Sequence, residues 1–194
     1  MPVATSKTDS ATVLVIGQEG HGKTTLTAAV VKVLSTKKKA KAASESSLPS
    51  DPRFNATEVI SDKRTLTFID FTSQENFKSY AEEARHPVDI VLLVVDIEAG
   101  VGDETKSQLE LAKPFIKPEG NIVVFLNKLD KAEDSDQVDL IELSIRGFFP
   151  SVGVDSEKGV MFRGSASLLL DSNDRKNQKP VIKMMECLNK IPVS

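Results

Sequence analysis

Short runs of β-branched and other apolar residues recur along the chain, each followed by a longer stretch whose apolar positions fall at helical spacing. That alternation predicts βαβ units around a parallel sheet. Thr12 to Ile16 reads as the first buried strand, and Lys23 to Leu34 as the helix after it, with Leu26, Val30, Val33 and Leu34 on one side. A strand pair is predicted at Thr57 to Ile60 and Thr65 to Ile69. Ile90 to Val95 and Ile122 to Leu126 are apolar without interruption, which places both at the centre of the sheet, with a helix from Glu104 to Phe115 between them. Gln137 to Phe148 predicts another helix, Gly159 to Phe162 a last strand, and Pro180 to Leu188 a closing helix with proline in its first turn. The fold class expected is α/β: a three-layer sandwich with a mostly parallel sheet and its binding site across the C-terminal ends of the strands.

Two segments fall outside this rhythm. Lys37 to Pro52 is rich in Lys, Ala and Ser, which predicts a mobile loop running on to Ala56, and Asp171 to Lys179 predicts a second polar loop. Lys37, Lys38, Lys39 and Lys41 read as solvated cations at a helix C-terminus rather than a phosphate patch. The organisation expected is a flexible N-terminus over residues 1–10 and a single domain over 11–194.

Composition narrows the classes. A chain of 194 residues with 40% hydrophobic content can bury a sizeable core, and a net charge of -3 lacks the basic excess that a nucleic-acid partner requires. The single Cys187 excludes an internal disulfide, and with two histidines it argues against a structural metal cluster. No apolar run approaches the roughly 20 residues of a membrane span, and the first residues resemble neither a signal nor a transit peptide. A cytoplasmic location with no membrane partner is expected.

The first strand runs into Gly17-Gln18-Glu19-Gly20-His21-Gly22-Lys23-Thr24, a G-x-x-x-x-G-K-S/T motif with a strand before it and a helix after it. The glycines let successive N–H groups face phosphate oxygens, reinforced by the helix dipole. Lys23 supplies charge to the β- and γ-phosphates, and the Thr24 hydroxyl is a candidate Mg²⁺ ligand. Glu19, Gly20, His21 and Thr25 complete the candidate cradle. His21, between two glycines, reads as a loop residue accommodated by its backbone rather than a base or metal ligand.

The fifth strand ends in Asn127-Lys128-Leu129-Asp130. Guanine offers two adjacent donors that one carboxylate can accept, whereas adenine would leave Asp130 unpaired, so guanine is selected. Asn127 supports the base through its amide and the Lys128 stem lies along the base plane. Gly164-Ser165-Ala166 follows the last strand, where a backbone N–H can reach the guanine O6.

GQEGHGKTTLTAA, VVFLNKLD and FRGSAS together resemble the nucleotide-binding domain of EF-Tu-type translational GTPases, from about Thr12 to Pro192. The resemblance implies a P-loop, Ras-like G domain that binds GTP and GDP with Mg²⁺, hydrolyses GTP as a molecular switch and acts on a protein effector or regulator. It carries over Gly17, Gly22, Lys23 and Thr24 as phosphate and magnesium residues. It carries over Asn127, Lys128, Asp130, Ser165 and Ala166, with the adjoining Ser167, as base contacts.

Three departures qualify it. The family has D-x-x-G after its third strand, where this chain reads Asp70-Phe71-Thr72-Ser73, followed by Gln74 in place of a catalytic histidine. Gln74 is the type that orients attacking water in Ras-like GTPases, while Thr72 and Glu75 can form a capping box; both readings hold together. The family's switch threonine has no clear counterpart, Ser50 and Thr57 both being candidates. The chain ends at Ser194, where the family's β-barrel domains would follow, so aminoacyl-tRNA delivery is not expected.

Asp70 and Asp96 both end strands as candidate Mg²⁺ carboxylates. The resemblance favours Asp70 and leaves Asp96 as a loop or capping residue. The expected activity is slow GTP hydrolysis. The alternative is a GTP- and GDP-binding interaction module with little or no turnover, and an ATPase or kinase remains only if Asp130 is misread.

Overall fold

The two uninterrupted apolar runs form adjacent interior strands of a six-stranded sheet, the first at its centre and the second beside the edge strand, and every residue of both is buried. The computed structural model describes residues 10–36, 51–61, 63–83, 87–171 and 174–193. In chain order the elements are β1 Ser10–Ile16, α1 Lys23–Thr36, β2 Phe54–Ile60, β3 Thr65–Phe71, α2 Gln74–Glu83 and β4 Ile90–Asp96. They continue with α3 Asp103–Ala112, β5 Ile122–Asn127, α4 Ser135–Phe148, β6 Val160–Arg163, α5 Ala166–Asp171 and α6 Arg175–Leu188. Strand order is β2-β3-β1-β4-β5-β6, with β2 antiparallel to β3 and the remaining pairs parallel.

Alternation along β4 shows how the layers close. Ile90, Leu92 and Val94 join a core cluster with Leu26, Val30 and Val33 of α1 and Val181, Met184 and Leu188 of α6. Val91, Leu93 and Val95 join a second cluster with Phe77 and Tyr80 of α2, Leu109 of α3, and Val138 and Ile145 of α4. A strand covered on both faces must be apolar at every position, and each such side chain contributes about 1.5–3 kcal/mol on burial. The expected α/β sandwich is therefore the observed one.

Several boundaries differ from the sequence expectation, each for a local reason. β2 starts at Phe54 rather than Thr57, because the Phe54 ring packs edge-on against Phe71 and Tyr80, with centroids 5.6 and 5.8 Å away. Residues 54–56 of the expected loop are thus strand; 37–50 lie outside the described residues, as do 1–9 of the expected flexible N-terminus. α6 starts at Arg175 rather than Pro180, because Asp174 accepts a hydrogen bond from the Lys176 N–H at 2.9 Å and Gln178 turns inward. Most of the expected polar loop over 171–179 is therefore helix, with Pro180 inside it. β6 begins one residue after Gly159, which lies so close to Phe149 that a Cβ there would stand 2.1 Å from the ring.

Because β1, β3, β4, β5 and β6 run parallel, the residues that follow them, including Gly17, Thr72, Ile97, Lys128 and Gly164, leave the sheet along one edge.

Candidate functional site

At that edge the β1–α1 loop takes its shape from three glycines at positive φ, with Gly17 at 146°, Gly20 at 82° and Gly22 at 87°. Two of them also have no room for a side chain. A Cβ on Gly17 would lie 2.3 Å from the Val94 carbonyl oxygen, and one on Gly22 would lie 2.3 Å from Asn127 Nδ2. The loop closes on its own lysine, for Lys23 Nζ donates to the carbonyls of Gly17 at 2.6 Å and Gln18 at 3.3 Å. Glu19, Gly20 and Thr24 are exposed, and Thr25 is half-buried.

Thr24 Oγ1 donates to Asp70 Oδ2 at 2.7 Å. Asp70 is buried, and its second carboxylate oxygen has no hydrogen-bond partner. A carboxylate oxygen shielded from water without a donor is costly and suits a cation. Among the described residues no group of three or more His, Cys, Asp or Glu could hold a metal by itself. Mg²⁺ fits such a place because it is held by one or two protein oxygens together with phosphates. A cavity of about 370 Å³ brings together Glu19, Gly20, Gly22, Lys23, Thr24, Thr25, Asp70 and Asn55. Asn55 was not foreseen; it stands opposite Asp70 in the β2–β3 register. Thr57 instead pairs with Phe68 in mid-strand and does not line this cavity, and Ser50 lies outside the described residues.

A neighbouring cavity of about 320 Å³ is bounded by Lys23, Ser73, Gln74, Glu104 and Gln108. The Gln74 amide donates to Ser107 Oγ on α3 at 3.1 Å. The expected Thr72–Glu75 capping box is replaced by a cap one residue later, with Ser73 Oγ accepting from the Asn76 N–H at 3.1 Å. The Thr72 hydroxyl is otherwise engaged, donating to the Arg53 carbonyl at 3.0 Å. Gln108 is the other unforeseen residue, its Oε1 accepting the Gly17 N–H at 2.6 Å. The sequence carried a signal for it, since Gln108 shares the buried side of α3 with Thr105, Leu109 and Ala112.

Beyond β5 the bonds are buried. Asn127 is 2% exposed; its Nδ2 donates to the His21 carbonyl at 2.9 Å and its Oδ1 accepts the Ala166 N–H at 3.0 Å. Lys128 adopts a left-handed backbone, φ 61°, and its ammonium reaches Asp96 Oδ2 at 2.5 Å. Asp130 is exposed in the following turn, Ser165 is buried and Ser167 exposed.

Asp96 does cap a loop, accepting the Glu98 N–H at 2.9 Å, and it also anchors Lys128. Burial pushes its carboxyl up, but Lys128, the Glu98 N–H and nearby His21 outweigh that and hold it below the usual carboxylate range. His21 departs from expectation. Its φ is not positive, and the residue is 2% exposed, with Nδ1 3.4 Å from the Val94 carbonyl and Nε2 without a partner. Burial lowers its pKa, an effect only partly countered by the Val94 carbonyl and Asp96, so the ring is neutral at pH 7.

Among the described residues no helix is long and apolar enough to cross a membrane. The family model described as the elongation factor Tu GTP binding domain matches residues 8–191, a span that takes in the glycine loop, Asp70, the Asn127–Asp130 turn and β6, and the chain belongs to that family of GTP-binding domains.

Proposed function

We propose that this GTP-binding domain hydrolyses GTP to GDP and phosphate slowly, as a molecular switch. The observation that carries the proposal is the convergence of Lys23, the Thr24 hydroxyl and the unpartnered Asp70 oxygen on one cavity. Asp130 would accept both guanine donors, while Asn127 holds the base turn to the phosphate loop and the Lys128 stem lies against the base. With the Ala166 N–H given to Asn127, the neighbouring Ser165 and Ser167 N–H groups would serve the guanine O6. Lys23 would leave the Gly17 and Gln18 carbonyls for the β- and γ-phosphate oxygens. Thr24 and Asp70 would hold Mg²⁺, which when bound supplies charge neutralisation at those phosphates. Gln74 would exchange Ser107 for the attacking water.

A second reading, an interaction module that binds GTP and GDP with little turnover, has its own support. The Gln74 amide and the Ser73 hydroxyl are both engaged in bonds that have to break before either can serve a γ-phosphate. A cytoplasmic setting and a protein effector belong to the proposal in either form. Titrations with GTP, GDP and ATP with and without Mg²⁺, followed by single-turnover phosphate release, test both. Guanine selectivity with Mg²⁺-dependent GTP affinity and slow release is expected. Tight binding without release favours the module, and equal binding of ATP overturns the reading of Asp130.

A further inference from the structure

The sheet ends at β6, and among the described residues no strand pairs with its outer side. Its four residues are open to solvent at both ends, Val160 and Arg163 being exposed and Met161 and Phe162 half-buried. Alternate N–H and C=O groups of such an edge point away from the sheet and are ready to pair with another backbone.

The two flanks of β6 differ in charge. On one, α6 presents Lys176, Lys179 and Lys183 along one helical face, and these line a groove of about 280 Å³ together with Pro180 and with Met161, Phe162 and Arg163 of the strand. None of the three lysines has a carboxylate within ion-pair distance among the described residues. On the other flank, Arg163 is already met by Asp139 and Glu142 of α4, at 2.7 and 2.5 Å, and the next residue, Leu143, is 66% exposed. In a chain of net charge -3 the lysine row is a local excess, not part of a broadly basic surface.

We propose that the β6–α6 groove docks an extended acidic segment of a partner protein as an additional strand. Main-chain bonds to the free edge supply the common affinity, and side-chain alternation supplies the selectivity. Acidic residues at every second position face the lysines of α6, while the intervening apolar residues face the Leu143 side. Nucleic acid fits less well. The positive charge without a carboxylate partner is confined to one helix face, since the groove's Arg163 is paired with Asp139 and Glu142, and Phe162 packs inward with the α6 cluster rather than standing free as a stacking platform.

The test is fluorescence anisotropy of the full chain with a labelled peptide of roughly ten residues alternating Glu and Val, long enough to overrun the strand. Saturable, salt-sensitive binding is expected, together with loss when alternate peptide nitrogens are methylated. Lys179→Glu combined with Lys183→Glu is expected to weaken it about tenfold. GDP affinity is expected to stay unchanged in that variant, because neither lysine lines the cavities beside Lys23. Absence of binding overturns the proposal. So does equal binding of the Lys-for-Glu peptide, or indifference to N-methylation. Tighter binding of a labelled oligouridylate, lost in the same variant, assigns the groove to nucleic acid instead.

Discussion

At the β5 end of the site the Asn127 amide is buried and joined to two backbone groups, His21 O and Ala166 N; at the α2 end the Gln74 amide is exposed and joined to a single hydroxyl, Ser107. Buried polar groups left unpaired cost about 1–3 kcal/mol each, whereas an exposed hydrogen bond exchanges for one to water at little net cost. The base side is therefore preorganised, and the Gln74 side chain at the start of α2 can change partners cheaply. Arg53 limits how far the helix moves. Its guanidinium meets Asp51 at 2.7 Å and Glu83, at the end of α2, at 3.0 Å, and its carbonyl accepts from Thr72 just before α2, so both ends of the helix are tied to the start of β2 and the freedom left is that of the exposed Ser73 and Gln74 side chains.

The contrast breaks most completely at Asn127. Asn127→Ala strands the His21 carbonyl and the Ala166 N–H, and a loss of GDP affinity of roughly 100-fold is expected by calorimetry, with a lower Tm. Asp130→Asn is the cleaner probe of the same side. Its exposed side chain contributes little to folding, so Tm is expected to hold while preference moves from GTP to xanthosine triphosphate, whose 2-carbonyl accepts from the new amide. Unchanged base preference would remove Asp130 from the base site.

Asp96→Asn frees Lys128 and is expected to weaken GDP by about fivefold, since the partner lysine is partly exposed. It also separates two acid effects. The folded His21 pKa lies below its ordinary 6.5, so the unfolded chain binds the proton first and stability falls as pH drops through 6.5. The Asp96 contribution is complete above the ordinary 3.8 and disappears as pH falls through its lower folded value. Thermal melts against pH should show the first decline in both proteins and a shallower acid decline in the variant, where Glu142, whose bonds to Arg163 and Arg146 outweigh its burial, still contributes but Asp96 no longer does.

The smallest stability changes are expected on the α2 side. Ser73→Gly replaces one acceptable cap by another, at a cost of a few tenths of a kcal/mol, yet opens φ values that let the peptide swing toward a γ-phosphate. Nucleotide titrations should show a raised preference for GTP over GDP. Gln74→Ala is expected to slow phosphate release without changing GDP affinity. If neither variant moves these readouts, the segment from Thr72 to Glu75 serves only to start a helix.

What could be read from the sequence follows the range of the interactions involved. The runs Ile90 to Val95 and Ile122 to Leu126 announce interior strands because burial on both faces leaves no polar position, though not that the second lies beside the edge strand. The glycine loop is equally plain, its residues being neighbours in the chain. Gln108 and Asn55 reach the site across the fold, and only the packing of α3 and the β2–β3 register place them there. The α2 cap falls on Ser73, one residue after Thr72, for a related reason. Thr72 has the right chemistry, but its hydroxyl is taken by Arg53, a residue distant in sequence.

The two bonds of Asn127 span 106 and 39 residues of chain, joining the first loop to the segment after the last strand. During synthesis the glycine loop leaves the ribosome long before Ala166 exists to anchor the base turn. A nascent chain can thus complete β1 to β5, with the bond from Asn127 to the His21 carbonyl within reach, and still lack the Ala166 N–H that fixes the other end of the amide. Before β5 is made, nucleotide meets the phosphate loop without the base turn, so β1 to β4 have to come together before it can act as a full folding ligand.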